Sequence, residues 1–102
     1  MEPPSPITLD AEKRAKRKRS KRIRQIKKIV ERDGDACFFC GRSLGDDITI
    51  EHLVPITHGG PDHRSNLVLA HHACNQRADH LSVAEKVRLR EEMHRQPEEF
   101  AV

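Results

Sequence analysis

Residues 49–66 read TIEHLVPITHGGPDHRSN. Ile48 and Ile50 alternate with Thr49 and Glu51, the period-two pattern of a short strand with one buried face. The strand must stop early, because Pro55 cannot donate to a ladder, and a Gly59-Gly60 turn follows. Residues 67–70, LVLA, supply the returning strand. At the end of the first strand an acid and an imidazole, Glu51 and His52, stand side by side. A small domain gains nothing in packing from that pair, so the chemistry of the molecule is expected at this corner.

Outward from the hairpin, residues 71–79 hold no helix breaker and predict a helix. Ser82 with Glu85 makes a capping box for a last helix over VAEKVRLREEMHRQ. Upstream, residues 13–32, KRAKRKRSKRIRQIKKIVER, hold twelve Lys or Arg and one Glu, so the rest of the chain is net acidic although the whole is +3. Ile23, Ile26 and Val30 recur at helical spacing, which predicts a helix that packs one face and keeps its cations wet. Asp10 is expected to cap it and Gly34 to end it. Residues 1–10, MEPPSPITLD, contain three of the six prolines and are expected to be disordered. The chain thus divides into a disordered 1–10, a basic helix over 11–33, a functional domain with its last helix over 34–96, and a tail over 97–102. The fold class is α+β.

Composition limits what can hold this fold together. Of 102 residues, 35% are hydrophobic, 3% aromatic and 34% charged, too little apolar mass for a large core, so a staple is expected. Three cysteines, an odd number, argue against a closed disulfide framework. No run approaches a membrane span and the N-terminus shows no signal-peptide core, so the chain is read as cytoplasmic, with thiols free to bind metal. Cys37 and Cys40 form a C-x-x-C pair, and His71 and Cys74 an H-x-x-C pair thirty-one residues on. Two such knuckles can give one tetrahedral zinc its four ligands. His72 is the rival fourth ligand, one residue too close to Cys74 for a knuckle. The closed site is assigned to structure, not chemistry.

With zinc anchoring the helix after His71 beside the hairpin, Asn75 can face Glu51. A carboxylate and an amide oxygen suit a hard cation such as Mg²⁺ or Mn²⁺. His52 is then a free imidazole beside a metal, suited to general-base work. In an ideal strand neighbours 51 and 52 point to opposite faces, so the strand must end or twist at His52. The basic stretch, with Lys16, Arg17, Lys18, Arg19, Lys21, Arg22 and Arg24, reads as an arm for nucleic acid. Its bland alternative is a solvated helix that only aids solubility. His58 and His63 sit in the loop, His80 follows the helix, and none of these or His94 is given a catalytic role.

From Cys37 to about Leu81 the pieces CFFCG, EHLVPITHGG and SNLVLAHHACN resemble the HNH endonuclease family, whose hallmark is a ββα-metal fold. The resemblance covers under half the chain. It implies metal-dependent hydrolysis of DNA phosphodiester bonds, with His52 activating water. Glu51 and Asn75 would hold the catalytic cation, and Asn66 would fix the loop that presents His52. Departures from the family pattern keep each role: Glu51 replaces a commoner Asp, Asn75 a His, and His71 a cysteine. Arg77 stands where a nearby lysine is usual and would take over a phosphate contact. A single centre implies nicking, with double-strand cleavage requiring a homodimer or a second event. The rival from another class is a zinc-stapled DNA-binding module without catalysis. A third reading is a nuclease subunit that acts only with a partner, by analogy with small phage members that work beside the terminase.

Overall fold

A computed structural model describes residues 6–95, side chains from Leu9 onward. Helix α1 spans Pro6–Asp33, strand β1 Thr49–His52, strand β2 Leu67–Ala70, helix α2 His72–Ala78 and helix α3 Val83–Arg95. Single 3-10 turns at Ile56–His58 and Arg64–Asn66 lie in the hairpin loop. The α+β class and the hairpin-then-helix order are as the sequence implies.

α1 starts inside the stretch expected to be disordered. Proline is tolerated in the first turn, where its missing N–H had no partner to lose. Asp10 consequently lies within the helix and not at its cap. Residues 1–5 and 96–102 fall outside the described residues. The helix ends as predicted: Gly34, at φ +86°, donates its N–H to the Val30 carbonyl at 2.8 Å. That left-handed turn suits glycine.

At 28 residues α1 is about 42 Å long, and the residues it buries against the core lie in its second half. Residues 9–19 are all exposed. The packed face differs from the predicted stripe in one member. Ile29 is 1% exposed, whereas Ile23 is 53% exposed. Ile26 and Val30 flank Ile29 against the core. Both stripes have helical spacing, and the docking of α1 on β2 decides between them.

β1 and β2 pair antiparallel, with Glu51 opposite Val68 and His52 opposite Leu67. Every residue of β2 is buried, which is why it reads as an unbroken apolar run. Two carbonyls on its second edge are also engaged. Phe38 donates its N–H to the Leu69 carbonyl at 2.9 Å, and the Arg32 guanidinium donates to the Leu67 carbonyl at 2.7 Å. These two bonds engage carbonyls that a two-stranded sheet would otherwise leave open at its edge. Phe39, Leu44, Leu67, Leu69, Ala78 and Met93 complete the core around the cysteines.

The last helix opens on the predicted capping box. Ser82 donates its N–H to the Glu85 carboxylate at 3.1 Å, and Glu85 donates its N–H to the Ser82 hydroxyl at 3.2 Å. Arg90 ties this helix to the first knuckle, bonding the Phe38 carbonyl at 2.8 Å with its guanidinium 5.0 Å from the Phe38 ring centre. No helix among the described residues is long and apolar enough to cross a membrane.

Candidate functional site

The zinc-type centre forms first. Cys37 and Cys40 lie on a tight turn closed by Gly41 N–H to the Cys37 carbonyl, 3.0 Å, and by Cys37 N–H to the Arg42 carbonyl, 2.8 Å. His71 precedes α2 and Cys74 lies in its first turn. The ligand atoms of Cys37, Cys40, His71 and Cys74 all lie within 4.8 Å of one another. His71 Nδ1 is 3.3 Å from Cys40 Sγ, while its Nε2 lies 3.0 Å from the Ser43 carbonyl. A carbonyl only accepts, so Nε2 carries the proton and Nδ1 is left as a metal-binding lone pair. His72, the rival, is exposed and outside the cluster. Burial and the neighbouring thiols push the Cys74 thiol up to about 12, and burial also raises Cys40. Three buried thiols this close call for a cation in their midst, and a Cys3His set fits zinc.

At the hairpin corner β1 ends at His52, as its chemistry requires. The loop beyond is pinched shut by Asn66, which is buried. Its side-chain oxygen accepts from Val54 N–H at 2.9 Å, and its amide donates to the Val54 and Pro61 carbonyls at 3.0 Å each. Gly60 completes the pinch: a Cβ there would stand 1.9 Å from the Val54 oxygen.

Thr49 and Glu51 share one face of β1, Ile50 and His52 the other. α2 covers the first face, and the Asn75 amide donates to the Thr49 hydroxyl at 3.1 Å. This bond uses the Asn75 side-chain nitrogen. Glu51 and Asn75 therefore border the same face. Glu51 and His52 together line a hollow of about 200 Å³ with Pro55, Asp79 and Lys86.

His52 also lines a second hollow, of about 240 Å³, with Lys18, Lys21, Arg22, Ile50 and Asp62. The basic helix thus reaches the histidine. Arg22 is held there by a 2.8 Å bond to the Ile48 carbonyl. Lys16, Arg17, Arg19 and Arg24 are exposed along α1 and do not line this hollow. Arg77 is exposed in the last turn of α2. A cavity of about 530 Å³ is bordered by Ile29, Phe38, Val68, Arg90 and His94 and includes none of Glu51, His52, Asn66 or Asn75.

Two residues at the corner escape a reading of the sequence. Asp62 places a carboxylate oxygen 3.0 Å from His52 Nε2. An ionised carboxylate only accepts, so it fixes the Nε2–H tautomer and leaves Nδ1 as the basic nitrogen. Its signal was the position just past the Gly-Gly turn. Lys86 is 1% exposed, with its ammonium 3.1 Å from Glu51 Oε1 and 2.6 Å from the His52 carbonyl. The remaining histidines are local: His63 accepts from Ser65 N–H at 3.1 Å, and exposed His80 pairs with Asp79 at 3.2 Å.

No curated protein matches the chain. A family model does, over the two knuckles and the hairpin between them: residues 37–80 match the model of the HNH endonuclease family.

Proposed function

We propose that the protein is a metal-dependent endonuclease that hydrolyses DNA phosphodiester bonds and cuts one strand per encounter. The observation that carries this reading is the shared hollow in which Lys18, Lys21 and Arg22 meet His52 and Asp62. Cations that attract a phosphate border the residue suited to activate water. A binding module would use the cations but has no need of a histidine held in one tautomer.

In this reading Asp62 orients His52, and His52 Nδ1 takes a proton from the attacking water. Asn66 keeps the loop, and with it Asp62, in place. Glu51 and the Asn75 oxygen form a hard donor pair on one strand face, fitting Mg²⁺ or Mn²⁺. When bound, such a cation supplies stabilisation of the negative charge that develops on the scissile phosphate and leaving oxygen. The lysines and arginines of α1 hold the DNA backbone without reading its sequence. The Cys3His centre takes no part beyond anchoring α2.

Supercoiled plasmid incubated with Mg²⁺ or Mn²⁺, with and without EDTA, tests the reading. Wild type should nick, and His52→Ala should lose about 10² to 10⁴ in rate with zinc content and DNA affinity retained. Equal nicking by the folded variant refutes His52 as base. Binding without nicking under either metal refutes the enzyme.

A further inference from the structure

Lys86 belongs to α3, beyond the matched residues 37–80, yet it meets both corner residues. Its side chain is 1% exposed and that of Glu51 12% exposed, so the ion pair is shielded from water. The ammonium bridges Glu51 Oε1 and the His52 carbonyl. Buried this way, Lys86 cannot reach a DNA phosphate while α3 stays docked.

We infer that Lys86 is a positioning residue, the resident counter-ion of the cation-binding carboxylate, and that it tempers the affinity of that site for its divalent metal. The inference rests on the assignment of Glu51 as a metal ligand. A buried carboxylate without a partner is costly, and Lys86 relieves that cost before any metal arrives. It also ties down the last carbonyl of β1, so that Glu51 and His52 keep a fixed relation. Because Oε1 is already engaged, an incoming dication meets a carboxylate whose charge is partly neutralised and lies close to a like charge. The corner is therefore preformed but binds metal weakly. Removal of the ammonium should tighten metal binding, the opposite of what removal of a merely structural group would do.

Full-length Lys86→Met and Lys86→Gln variants, loaded with zinc and checked by circular dichroism, would be titrated with Mn²⁺. Free Mn²⁺ is read by its paramagnetic resonance signal. Lys86→Gln keeps an N–H donor without the charge and guards against a folding failure. Both variants should bind Mn²⁺ at least fivefold more tightly than wild type, and adding Glu51→Gln should abolish the gain. Unchanged or weaker Mn²⁺ binding by a folded variant overturns the inference while leaving Glu51 as ligand. If Glu51→Gln alone binds Mn²⁺ as wild type does, the ligand assignment fails and the inference falls with it. Unmodified protein gives an independent readout. Saturating Mn²⁺ should broaden the Lys86 side-chain resonances more than those of Lys13, in the exposed half of α1. Sharp Lys86 resonances at full Mn²⁺ occupancy would overturn the inference whatever the variants do.

Discussion

Replacing Asn66 with alanine removes the clamp on the loop that follows His52. Three hydrogen bonds disappear, to Val54 N–H and to the Val54 and Pro61 carbonyls. The residue is only 6% exposed, so water cannot simply take the place of its amide. Each bond contributes about 1 kcal/mol net, which gives a loss of about 3 kcal/mol. In a domain this size that corresponds to a fall in Tm of about 12–24 °C. The zinc ligands make none of these bonds, so zinc stoichiometry should remain wild type. Asn66→Asp should be no better, because a carboxylate can serve Val54 N–H but repels the two carbonyls. Thermal unfolding at saturating zinc, with metal content measured on the same sample, is the assay. A Tm within about 3 °C of wild type would refute the clamp, as would equal stability of the alanine and wild-type proteins in urea.

Cys74→Ser should abolish stoichiometric zinc and cooperative unfolding, since zinc contributes about 10 kcal/mol or more to domains of this kind; a folded, zinc-free variant would refute the staple. In wild type the Cys74 thiol, raised to about 12, and the raised Cys40 thiol must both lose protons to bind metal. The sign follows: apparent zinc affinity rises with pH, by about 100-fold per unit between about pH 6 and 8 from these two thiols, and competition with a chelator at several pH values checks it. Neutralising Lys18, Lys21 and Arg22 together should weaken DNA binding and lower the slope of log affinity against log salt by about 0.9 for each phosphate the protein no longer neutralises, read by fluorescence anisotropy; an unchanged slope would leave the arm a solubilising helix.

The zinc-type centre was legible because knuckle spacing is a local property: two ligands three residues apart reach one ion wherever the knuckle sits. The capping box at Ser82 and Glu85 was legible for the same reason, as was the returning strand β2 from its apolar run. Ile29 was not, because the sequence of α1 supports several overlapping helical stripes and only β2 selects one. The start of α1 is not legible in composition, because prolines read as breakers, whereas its place in a first turn makes Pro6 harmless. Asp62 and Lys86 lay further out of reach. Charged residues default to solvent, and nothing local says that a lysine on the last helix closes on a glutamate 35 residues away.

The Lys86–Glu51 pair shows how the two halves of the site are held by different physics. The Cys3His centre can rely on metal-ligand bonds, so its surroundings need only be small and apolar, and Phe39, Ala70 and Ala78 at 0% exposure meet that need. For the proposed hydrolysis the hairpin corner must stay open to water and to DNA, so burial cannot fix it. Its geometry comes instead from polar groups that are buried just behind it: Asn66 behind the loop and Lys86 behind Glu51. Neither buried group has an unsatisfied side-chain atom, which lets each hold its neighbours without drifting toward solvent. Zinc loss should therefore collapse the whole domain, whereas loss of the Asn66 anchor should loosen the corner and leave the zinc in place.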